Sequence, residues 1–166
     1  MEKYDSTVDA KLHIKNIQRV MKPLIEELQK RSDHHDESKL TDPERTCYDT
    51  YIPLLKNTKY GTREYFEIKA KMEPYGLKHH QKVNRHHPEH FKNGCKDMNL
   101  IDMIEMLCDW YAASLRSDTS FEDGFKKNIE RFHIDKDVEK LLWTTYLDYI
   151  KKLPLPGPYP VGHGHP

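Results

Sequence analysis

Apolar residues in this chain recur at spacings of three and four, and nowhere does a strand-like alternation persist. That pattern restricts the fold to packed helices, because a 3.6-residue period cannot present one face as a strand. The predicted fold class is therefore all-α, a compact multi-helix bundle. From about Thr7 to Arg31, the residues Ala10, Ile14, Ile17, Met21, Leu24 and Leu28 fall on one side of a helix, with Pro23 expected to kink it. His13 projects close to that stripe and is expected to point inward. Ser32 and Asp33 are candidate caps for a short helix carrying His35 and Asp36, and Thr41-Asp42-Pro43-Glu44 opens the next helix. Further helices are expected over Thr62–Tyr75, Leu77–Asn84, Met98–Arg116 with Asp97 as cap, Phe121–Phe132 with Ser120 as cap, and Asp137–Leu153 with Asp135 as cap. In the last, Val138, Leu141, Leu142, Tyr146, Tyr149 and Ile150 are the expected core stripe. Residues 85–94, rich in His, Pro and Gly, read as a loop.

At 166 residues the chain is large enough to bury a real core. We read residues 1–153 as one domain and 154–166 as a Pro/Gly-rich extended tail. Twenty-seven basic and twenty-seven acidic residues cancel, so no global basic field attracts nucleic acid. No apolar run approaches the roughly 20 residues of a membrane span. Three cysteines without a CxxC pair, and no recognisable signal peptide, predict reduced thiols and a cytoplasmic location.

The unusual number is eleven histidines, seven of them between residues 34 and 90. His34-His35-Asp36-Glu37-Ser38-Lys39 joins neutral imidazole to carboxylate, a pairing that suits a divalent ion and lets the carboxylate bridge to a second. Downstream lie His79, His80, His86, His87 and His90. A basic surface loop is the bland alternative, but five histidines together would all charge below about pH 6.5 and repel one another unless a metal or carboxylates intervened. Asp102, Glu105 and Asp109 line one side of the most apolar helix, and no Lys or Arg between Met98 and Leu115 balances them. Buried carboxylates need cations or hydrogen bonds. An inward role is therefore assigned to Asp109 first. The candidate site is one metal centre built from His13, His35, Asp36, the later histidines and Asp109.

The ordered set His13, His35-Asp36, His80, His86-His87, Asp109 resembles the HD-domain superfamily over roughly residues 7–132. His35-Asp36-Glu37-Ser38-Lys39 looks like the HDxxK variant of its two-metal branch, which includes the HD-GYP phosphodiesterases. His86-His87-Pro88-Glu89 looks like that branch's HH-E element, and residues 107–113 resemble the segment around its last ligand aspartate. The GYP element is absent, and His80 lies only six residues before His86. The chain looks still more like a small phage and bacterial family with HDxSK and NxHHxE motifs, the latter here Asn84 to Glu89. The resemblance implies that His13, His35, Asp36 and Asp109 hold one ion. It implies that Asp36 bridges to a second, held by His80 and by His86 or His87, and that Lys39 faces a substrate phosphate. Imidazole and carboxylate ligands suit Mn, Fe, Co, Ni or Zn, one or two ions. Glu37 or Glu105 would orient a ligand or carry a proton. The expected function is a metal-dependent phosphohydrolase acting on a nucleotide or other small phosphate ester. A di-iron oxygenase on the same fold and a non-catalytic helical binding or inhibitor module are the alternatives.

Overall fold

A computed structural model of the chain describes residues 5–59, 61–116 and 119–154. Every regular element among the described residues is helical. The proposed tail lies outside them from residue 155 onward. No helix among the described residues is long and apolar enough to cross a membrane.

The chain divides into two compact units, Met1–His35 and Asp36–Pro166. The first unit is built on one helix, α1 (Ser6–Asp33), started by Asp5, whose carboxylate accepts from the Thr7 amide at 2.9 Å. Pro23 sits inside α1 without ending it. The helix runs on through Ser32 and Asp33, so these residues close α1 instead of capping a helix under His35 and Asp36. None of the α1 side chains is buried, and His13 is exposed with them. A single helix has no interior of its own, and within this unit the inward orientation expected for His13 has nothing to be inward of.

In the second unit a 3-10 turn (Glu37–Leu40) leads into α2 (Glu44–Asn57), α3 (Arg63–Met72) and α4 (Leu77–Val83). Thr62 caps α3, its hydroxyl accepting from the Tyr65 amide at 3.3 Å. Gly76 precedes α4 where a Cβ would meet the Met72 carbonyl oxygen at 3.0 Å and Cys47 Sγ at 3.1 Å. A side chain here would press on both neighbours, so glycine suits the close approach of the start of α4 to α2 and α3. A 3-10 turn, Pro88–His90, lies within the expected loop, and a second, Gly94–Asp97, begins at its last residue.

Helix α5 (Leu100–Ser114) starts two residues later than expected, because Asn99 rather than Asp97 caps it. Asn99 Oδ1 accepts from the Asp102 amide at 3.0 Å while Asp102 Oδ2 accepts from the Asn99 amide at 3.1 Å, a reciprocal capping box. Ser120 and Asp135 cap α6 (Phe121–Arg131) and α7 (Lys136–Thr145), and α7 passes into a π-helical turn, Tyr146–Ile150. Met106, Leu107, Phe121, Phe125, Leu142 and Tyr146 form the heart of the core where α5, α6 and α7 meet. Trp110 stacks on Phe132, with centroids 5.9 Å apart. Each fully buried aliphatic side chain such as Leu107 contributes about 1.5–3 kcal/mol. Leu141 and Tyr149 do not join the expected stripe and are 50% and 75% exposed. For Tyr149 the cause is local: the π-helical turn rotates the side chains after Thr145 off the 3.6-residue phase.

Candidate metal centre

Asp36 begins the second unit with φ 58°, a left-handed backbone that aspartate tolerates better than most residues. Asp36, His80, His86 and His87 each offer a ligand atom, all within 4.8 Å of one another. His80 comes from α4, while His86 and His87 come from the segment just after it. His80 Nε2 lies 3.1 Å and His86 Nε2 3.4 Å from Asp36 Oδ1. His86 also offers a ligand atom within 4.8 Å of one on Asp109. His35 is the last residue of the first unit, and His13 lies well inside it. The second unit therefore supplies its cluster from Asp36, His80, His86, His87 and Asp109.

Two carboxylates, Glu44 buried and Glu105 half-buried, set the histidine rings. Glu44, at the first position of α2, is 0% exposed and takes His80 Nδ1 at 2.9 Å and His79 Nδ1 at 2.8 Å on its two oxygens. Glu105, on α5, takes His86 Nδ1 at 3.1 Å. A neutral imidazole that donates from Nδ1 presents a lone pair at Nε2. His80 and His86 thus aim Nε2 lone pairs at Asp36, the carboxylate–histidine arrangement that orients metal ligands in known sites. His87 completes the set: its Nε2 is buried and has no hydrogen-bond partner among the described residues.

A cation fits this donor set. Two atoms each about 2.1 Å from an ion, at angles of 90–110°, lie about 3.0–3.4 Å apart, which matches the separations of His80 and His86 from Asp36. Three imidazoles and a carboxylate, with no cysteine in the group, suit Mn, Fe, Co, Ni or Zn.

Ser38 and Asn84, prominent in the sequence motifs, support the cluster from behind. The Asn84 amide donates to Ser38 Oγ at 2.8 Å and to the His80 carbonyl at 2.9 Å, and Ser38 Oγ donates to Glu44 Oε2 at 3.1 Å. Lys39 pairs with Asp36 Oδ2 and is 43% exposed. Glu37 is exposed in the 3-10 turn, whereas Glu105 holds a histidine. His90 donates from Nδ1 to the Lys82 carbonyl at 2.7 Å, a structural contact. Of the supporting residues, the sequence reading missed Glu44, His79 in its role on Glu44, and Arg85. Glu44 reads as an ordinary first-turn acid, and only its position one residue after Pro43 in the capping segment set it apart.

Arg85, between Asn84 and His86, clamps Asp102 with two parallel bonds, Nε to Oδ1 at 3.0 Å and Nη2 to Oδ2 at 2.8 Å. Its guanidinium also lies 4.9 Å over the Phe91 ring. This fork ties the His86-His87 segment to the N-terminal end of α5. Asp102 is 0% exposed while the Arg85 side chain is 42% exposed, so Arg85→Met strands a buried carboxylate that water reaches only partly. We expect a loss of about 2–3 kcal/mol in urea unfolding, below the range for a fully buried pair. A change under about 0.5 kcal/mol, the level of an ordinary surface substitution, would show that the fork does not hold the segment.

Burial, with His86 and His80 alongside, drives the pKa of His87 down to about 3, against the opposing pull of Asp109 and Asp36. The unfolded chain binds this proton near pH 6.5, and the folded chain refuses it until about pH 3. The stability tied to neutral His87 is thus complete above about pH 6.5 and is lost as pH falls towards 3. In chelator-treated protein, the melting temperature should fall between pH 6.5 and 4, and His87→Asn should flatten that fall. An unchanged slope in the variant would remove His87 as its source.

No curated protein and no solved structure matches the chain. A family model described as a family of unknown function (DUF5662) matches residues 2–152, nearly the whole chain, and the protein belongs to that family.

Proposed function

We propose that this protein is a metal-dependent phosphohydrolase acting on a nucleotide or another small phosphate ester. One or two divalent transition ions would be held by Asp36, His80, His86 and His87, with Asp109 beside them. The observation that carries the reading is the convergence of four ligand atoms within 4.8 Å. The buried Nε2 of His87 supports it, since that atom finds no hydrogen-bond partner among the described residues. The resemblance to the two-metal HD branch supports the reaction class. A bound ion of this kind lowers the pKa of its water and polarises a phosphoryl oxygen. The chain's own residues supply the rest. Glu44 and Glu105 keep the Nδ1 protons on His80 and His86 and so fix which nitrogen faces the site. Lys39, half in solvent beside Asp36, is the cation placed to meet a phosphate group.

The test is purified protein loaded in turn with Mn, Fe, Co, Ni and Zn and incubated with nucleoside mono-, di- and triphosphates and cyclic dinucleotides. Phosphate or nucleoside release is expected with at least one pairing. Tight metal binding with no release across the panel would overturn the hydrolase reading while leaving the metal centre. Oxygen consumption with Fe(II) in place of release would reassign the centre to oxygenase chemistry.

A further inference from the structure

Helix α1 carries a pattern that the metal centre does not use. Ala10, Ile14, Ile17, Met21, Leu24 and Leu28 step along it by 4, 3, 4, 3 and 4 residues, a sustained heptad seam. Ile14, Ile17, Met21 and Leu24 are 45–55% exposed. Val20 and Ile25, at 65% and 59% exposed, flank the seam on either side. The outward positions carry Asp9, Lys15, Asn16, Arg19, Lys22 and Glu26, with Val8 and Leu12 the apolar exceptions near the start of the helix, and Pro23, which lacks a donor, also faces away from the seam.

We propose that this seam pairs with the same seam of a second copy of the chain, antiparallel, in a twofold-symmetric dimer. The spacing reads identically in both directions about Arg19. An antiparallel partner therefore brings Ile17 against Met21, Ile14 against Leu24 and Ala10 against Leu28, twice each, with no seam residue left over. The same register places the two Val20 side chains across the twofold axis. It also sets His13, which can donate from a ring nitrogen, opposite Glu27, which already holds Arg31 at 2.9 Å. A parallel pair would lose the His13 to Glu27 match. A 28-residue helix is about 42 Å long. Contact along that length buries on the order of 800 Å² per helix, the size of a standard stable interface. A closed twofold pairing covers the seam, where an open arrangement would leave it to aggregate.

Sedimentation of the full chain should give a dimer at micromolar concentration. Ile17→Glu combined with Leu24→Glu should give a monomer with an unchanged near-ultraviolet circular dichroism spectrum. Lys15→Glu combined with Lys22→Glu, on the outer face, should stay dimeric. Val20→Cys in a Cys108→Ser background should form a disulfide-linked dimer on mild oxidation, while Arg19→Cys should not. This pair decides the matter even if the seam variant fails to fold. A wild-type monomer up to about 100 µM, well above the dissociation constants usual for interfaces of this size, would overturn the proposal. So would a dimeric seam variant, or cross-linking through Arg19→Cys but not Val20→Cys.

Discussion

Asp36→Asn should strip the protein of its metal. Wild-type protein dialysed against trace transition ions is expected to retain one or two per chain by plasma mass spectrometry. The variant should retain less than about a tenth as much, a fall in affinity of at least about 100-fold, since losing a direct ligand costs no less than losing its support. Asparagine keeps the shape of aspartate and tolerates the left-handed backbone at this position, where alanine would add strain. The substitution therefore removes charge and little else. His80 and His86 would keep their carboxylate partners on Nδ1 but lose the anion that their Nε2 atoms face at 3.1 and 3.4 Å. Asp49→Asn, an exposed carboxylate on α2 beside Arg45, is the matched control and should keep its metal. Full metal content in Asp36→Asn would remove Asp36 from the centre and take the proposed chemistry with it.

The second large effect is expected at Glu44. This carboxylate receives two imidazoles and the Ser38 hydroxyl with no exposure to water. Glu44→Ala leaves those donors facing a cavity, and each buried unsatisfied group costs about 1–3 kcal/mol. The expected loss is about 3–5 kcal/mol in urea unfolding, with metal affinity lowered about 10–100-fold because His80 is no longer held by its far nitrogen. Glu44→Gln keeps one acceptor oxygen and should fall between alanine and wild type on both measurements. If alanine cost less than about 1 kcal/mol while metal binding stayed intact, Glu44 would be a buried acid without the supporting role its contacts imply.

Much of the fold is legible in the sequence because the helix signals are local. Ser120 and Asp135 each precede an apolar period and cap the helices expected after them, and Thr62, expected as the first residue of its helix, caps it. The errors come from competition between nearby signals. Asp97 and Asn99 are both good caps, and the choice falls to Asn99 because Asp102 reaches back to its amide. Nothing local marks Asp36 as left-handed, which is why a helix was expected beneath it. At the site, the grouping of Asp36 with His80, His86 and His87 follows from residue type and motif. The Glu44 and Arg85 contacts do not, because they span 36 and 17 positions between separate segments and leave no periodic trace. Asp102 illustrates the difference. The sequence argument ranks Asp109 ahead of it for an inward role, yet Asp102 is the carboxylate at 0% exposure while Asp109 is half-buried, and only the three-dimensional arrangement names Arg85 as the cation that makes that burial tolerable.

Because Asp102 stands at the third position of α5 and is locked there from two directions, it fixes the rotational phase of everything that follows on that helix. Glu105 comes one turn later and Asp109 two turns later, both within about 60° of the same face at 100° per residue. A single-residue insertion or deletion between positions 102 and 105 would swing both acids about 100° away while leaving composition and hydropathy almost untouched. Length, more than side-chain identity, is what this stretch of chain cannot vary.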